Sequence, residues 1–102
     1  MTRSMIALIL LSLSTTGAHA TGRFQCEATD RAAWLGETQV TERLTAAGWQ
    51  VSHMKEDGGC WEVYGTDPQN RRVEAYLHPV SGEVQLVSQR GTVVFDIRDA
   101  NE

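Results

Sequence analysis

Apolar and polar positions divide the chain into stretches of different period. Residues 5–13 (MIALILLSL) are a near-continuous apolar run interrupted by Ser12. Residues 21–35 show no clear period and read as an irregular arm. Beyond them, Val40, Leu44 and Ala47 fall on one stripe at helical spacing. Gly36 suits the N-cap, and Glu37 faces the positive end of the helix dipole. Gln39 stands where a side chain can reach back to the capping N–H, and Leu35 and Val40 have the spacing of a hydrophobic staple. Gly48 suits the position after the helix, with Trp49 able to pack back on Leu44. The spacing predicts one helix over 37–47.

After Gly48 the period becomes two. Residues 49–54 form the first predicted strand, although Val51 and Met54 are three apart and face one side together only across a bulge. Asp57-Gly58-Gly59 is a turn. Residues 60–66 form the second strand, with Trp61 and Val63 on one face and Glu62 and Tyr64 on the other. Asp67-Pro68-Gln69-Asn70 turns the chain again. Residues 71–78 alternate most regularly: Val73, Ala75 and Leu77 against Arg72, Glu74, Tyr76 and His78. A turn over 79–82 leads to strand four at 84–87, and 92–97 is a candidate fifth strand. The expected fold is α+β: one helix packed on an antiparallel meander of four strands, with that optional fifth at the C-terminus.

The apolar run at 5–13 is shorter than the ~20 residues of a membrane span. Arg3 precedes it and Ala18-His19-Ala20 follows it. This is the layout of a secretory signal peptide over 1–20, cut before Thr21. The expected product is a periplasmic or secreted protein with no membrane span, a single domain over 21–102. Export places Cys26 and Cys60, the only two cysteines, in an oxidising compartment, where they have one intramolecular pairing. A formal net charge of -4 and a pI near 5.3 argue against nucleic-acid binding, which needs a basic stripe.

The order and spacing of several segments resemble the PepSY family, found in peptidase propeptides and small exported bacterial proteins. The segments are Trp34 ahead of the helix, Leu44 with Ala47-Gly48-Trp49-Gln50-Val51, and Asp57-Gly58-Gly59-Cys60-Trp61-Glu62-Val63-Tyr64. They continue with Arg72-Val73-Glu74-Ala75-Tyr76-Leu77 and His78-Pro79-Val80-Ser81-Gly82-Glu83-Val84. His78 stands where the family usually has Asp, and Ser81 where it has Thr. The resemblance implies a helix on a curved antiparallel sheet, no catalytic residues and no cofactor. It also implies a binding role, with a peptidase or another exported protein as partner.

The residues themselves supply little catalytic chemistry. There is no G-x-S-x-G, H-E-x-x-H or phosphate-cradling glycine loop. Glu56 and Asp57 lack the spacing of an EF-hand. His53 and His78 sit on strands that are not neighbours in a meander, so a metal site is the weaker reading and neither is assigned as a ligand. The alternative to a protein-binding module is a small-ligand or metal-binding envelope protein. The expected partner face is the side of the sheet away from the helix: Tyr64, Arg72, Glu74, Tyr76 and His78. Trp34 and Trp49 are expected to pack around the helix ends.

Overall fold

A computed structural model describes residues 22–99. The signal sequence expected over 1–20 and its cleavage point lie outside the described residues. After a 3-10 turn at Arg31–Ala33 comes α1 (Glu37–Ala46). Five strands follow: β1 (Gln50–Asp57), β2 (Cys60–Thr66), β3 (Arg72–Leu77), β4 (Val84–Gln89) and β5 (Thr92–Asp96). They form one antiparallel sheet in the order β1-β2-β3-β4-β5. The expected four-strand meander with an optional fifth is therefore corrected. β5 is a full member of the sheet, with Leu86 opposite Asp96 and Gln89 opposite Thr92. A two-residue turn makes this possible. Arg90 and Gly91 both take positive φ, 50° and 82°, and that turn geometry matches the twist of paired strands.

The helix is closed by backbone geometry at both ends. The Gly36 N–H donates to Gln39 Oε1 at 2.9 Å, which satisfies one orphan donor of the first turn. At the far end Gly48 has φ 98°. Its N–H donates to the Thr45 carbonyl, and the Trp49 N–H to the Leu44 carbonyl, the pair of bonds of a Schellman closure.

One face of the sheet carries the main core. Val40 and Leu44 from α1 meet Trp61, Val63, Val73, Ala75, Leu77 and Val87. Val51 and Met54 both pack on this core, and the register of β1 against β2 shifts between Val51 and His53. One extra residue there flips the parity, so two positions three apart reach the same side. The close approach at this bulge has a second consequence: a Cβ on Gly65 would stand 1.9 Å from the Gln50 carbonyl oxygen. Only glycine fits.

The opposite face was expected to be open, and half of it is not. Phe24 and Cys26 from the arm cover Tyr76, Leu86 and Cys60 in a second buried cluster. The expected Cys26–Cys60 disulfide is present, bridging 34 positions of sequence. The Cys26 N–H also donates to the Gly58 carbonyl at 2.8 Å, so the arm is held by a covalent and a hydrogen bond at one point. Tyr76 is 0% exposed, with its ring 6.4 Å from Phe24. It has the parity of Arg72 and Glu74 but lies beneath the arm, a consequence that alternation alone cannot reveal.

Candidate functional site

The uncovered half of that face is a groove of about 900 Å³. Its floor is set by cross-strand register. Tyr64 on β2 lies between His53 on β1 and Glu74 on β3, and Glu74 lies opposite Ser88 on β4. The next row includes Thr66 opposite Arg72. Gln50, Arg71, Gln89 and Arg90 complete the walls.

Tyr64 is the centre of this floor. Its ring stacks on the His53 imidazole, with centroids 4.3 Å apart and planes 10° from parallel. Lys55 Nζ lies 5.8 Å from the same ring, within cation–π range. Burial pushes the Tyr64 phenol well above its ordinary value. A hydrogen bond to Glu62 and the charges of Glu62, Glu74 and Asp57 push it the same way. The group therefore remains a neutral donor through the physiological range. Glu62 is fully buried, with Lys55 Nζ 3.9 Å from its Oε1.

The arginines of the groove are positioned by two turns. At the β2–β3 turn Asp67 Oδ1 accepts the N–H groups of Gln69 and Arg71, each at 2.9 Å. Its Oδ2 accepts from the Arg71 guanidinium at 2.7 Å. Burial pushes the Asp67 carboxyl up, but these bonds and the Arg71 charge outweigh it and hold the group below the usual carboxylate range. Arg71 is thus neutralised, whereas Arg72 has no ion pair among the described residues. The same holds for Arg90, whose own turn carries it to the groove.

Of the five expected face residues, Tyr64, Arg72 and Glu74 line the groove, and Tyr76 and His78 do not. The buried Tyr76 phenol donates to Asp57 Oδ2 at 2.7 Å. Burial, followed by that bond, raises its pKa far above the ordinary value. His78 organises the β3–β4 turn. Its Nδ1 accepts the N–H groups of Val80 at 3.1 Å and Ser81 at 3.2 Å. With Nδ1 accepting, a neutral ring carries its proton on Nε2, which lies 3.2 Å from Glu27 Oε1. The imidazole nitrogen fills the acceptor role that an aspartate carboxylate would have in such a turn.

His53, Gln50, Gln89 and Arg90 were not singled out from the sequence as groove residues. The signal for His53 is the bulge, which puts it on the side of Tyr64; the signal for Arg90 is the hairpin register. Among the described residues no group of three His, Cys, Asp or Glu side chains is arranged to hold a metal ion. Among them, too, no helix is long and apolar enough to cross a membrane. The three tryptophans are accounted for by packing. Trp34 meets Trp61 edge-on at 5.6 Å, Trp61 Nε1 donates to the Leu35 carbonyl, and Trp49 packs against the main core.

A family model, PepSY_2, described as peptidase propeptide and YPEB domain, matches residues 4–86. No curated protein and no solved structure matches the chain.

Proposed function

The chain belongs to the peptidase propeptide and YPEB domain family, and on that premise we propose that it is an exported, non-catalytic module that binds and restrains a peptidase of the cell envelope. The observation that carries this reading is the groove on the half of the sheet that the stapled arm leaves uncovered. Its floor is a stacked aromatic pair, and its walls carry amides and guanidinium groups. These are the groups that hold an extended peptide: ring faces for a side chain, and amides for main-chain N–H and C=O. The arrangement supplies the groups of recognition, and the role we assign it is binding.

Export is supported by Arg3, the apolar run at 5–13 and Ala18-His19-Ala20, together with a disulfide that suits an oxidising compartment. N-terminal sequencing of the secreted or periplasmic product should return Thr21 as its first residue; Met1 on a membrane-retained product would refute export by cleavage. For the binding role, the purified protein is added to peptidase-active envelope extract of the source cell. Casein cleavage should fall with added protein, and His53→Ala/Tyr64→Ala should abolish the effect while leaving the melting temperature within a few degrees. Undiminished cleavage at saturating protein would overturn the reading.

A further inference from the structure

The groove holds two positive charges that nothing in the described residues neutralises. Glu74 lies opposite Ser88 in the β3–β4 ladder. Arg72 opens β3 and Arg90 stands in the turn directly after β4, and both line the groove. Like charges that share one groove repel each other. Neither guanidinium has an ion pair among the described residues, although Arg71 beside them is paired with Asp67. Glu74, two residues along β3, forms no ion pair with either. Arg90 also holds a left-handed backbone conformation, φ 50°, that Asn or Gly would adopt more readily. Two guanidinium groups without an ion pair among the described residues, lining one groove of a chain of net charge -4, form a site suited to an anion.

We infer that Arg72 and Arg90 together form a carboxylate-binding clamp, and that the groove selects an acidic peptide segment. This deepens the peptide-binding role and rests on it. A carboxylate accepts paired N–H groups from a guanidinium, and two such groups flanking one anion remove their mutual repulsion on binding. The neighbouring His53–Tyr64 stack then supports the side chain one or two positions away from the bound acid.

The test uses the disulfide-bonded protein and two fluorescein-labelled peptides. One alternates Glu and Ser around a central Tyr; its twin has Gln in place of every Glu. By fluorescence anisotropy the acidic peptide should bind at least ~10-fold more tightly than the twin at low salt. Its affinity should fall as salt rises while the twin's stays level. In Arg72→Gln/Arg90→Gln the two peptides should bind alike, with an unchanged melting temperature. A single-site Arg72→Lys variant, which keeps charge but loses the planar fork, should retain part of the preference. Equal binding of both peptides to the native protein, or an unchanged preference in the double variant, would overturn the clamp and leave peptide binding standing. If neither peptide binds, the clamp and the peptide-binding reading fall together.

Discussion

The Tyr76 hydroxyl donates to Asp57 Oδ2 at 2.7 Å beneath the N-terminal arm, joining the third strand to the end of the first. Both residues are buried, and Asp57 Oδ2 also lies 3.4 Å from the Gly22 N–H. Tyr76→Phe keeps the ring against Phe24 and removes the donor. A hydrogen bond to a buried carboxylate contributes about 2 kcal/mol. The variant should therefore unfold at lower urea concentration with an unchanged slope, and with peptide binding in the groove unaffected.

The Cys26–Cys60 bridge should contribute more than any single hydrogen bond. Closing a loop of 34 positions removes chain entropy from the unfolded state worth about 4 kcal/mol. That is a large part of the net stability of a domain this size. Cys26→Ala should lower the melting temperature by more than ten degrees and expose Tyr76, seen as a loss of its near-ultraviolet circular dichroism. A melting temperature equal to that of the native protein would show that the arm is held without the bridge.

Gly65→Ala should be among the most damaging single-methyl additions in the sheet. The added carbon would meet a backbone oxygen, which has no rotamer by which to move away. The expected loss is above ~2 kcal/mol, by overpacking at a fixed backbone contact. Gly36→Ser is the matched control. Its Cβ has no neighbour nearer than Gln39 Oε1 at 3.8 Å, and serine is a better cap than glycine, so stability should rise by a few tenths of a kcal/mol.

Stability should fall at both ends of the pH scale, for opposite reasons. The Asp67 and Asp96 carboxyls are held below their ordinary value near 3.8, Asp96 chiefly by hydrogen bonds from Arg98. A depressed group contributes stability that is present above its unfolded-state value and lost as pH falls through the folded one. Denaturant midpoints should therefore drop below about pH 4, and Asp67→Asn should flatten that drop. The Tyr64 and Tyr76 phenols are raised above their ordinary value of 10. Their contribution is complete below that value and is lost as pH rises above it, because only the unfolded chain ionises readily. Tyr76→Phe should shallow the alkaline limb. An acid limb unchanged in Asp67→Asn would mean that other carboxylates govern it.

His78→Ala should cost about 1 kcal/mol by leaving the Val80 and Ser81 N–H groups without their acceptor. His78→Asn restores a side-chain acceptor at the turn and should recover most of the loss. Equal destabilisation by Ala and Asn would assign the effect to the Glu27 contact instead.

Local chemistry carried much of this fold. The stripe of Val40 and Leu44 between Gly36 and Gly48 specifies a short helix, because capping and side-chain period act within a few residues. The spacing of Val51 and Met54 requires a bulge, since side chains alternate strictly along a strand. The two cysteines have a single pairing once export is granted. What only the tertiary structure decided is which half of the outer sheet face is free. Tyr64 and Tyr76 have the same parity in their strands and the same chemistry. One floors a groove and the other is sealed beneath Phe24, because the disulfide lays an aperiodic arm across one end of the sheet. The meeting of Arg72 and Arg90 in one groove is likewise set by the pairing of β3 with β4 and by the turn after β4, which has no trace in the period of either segment.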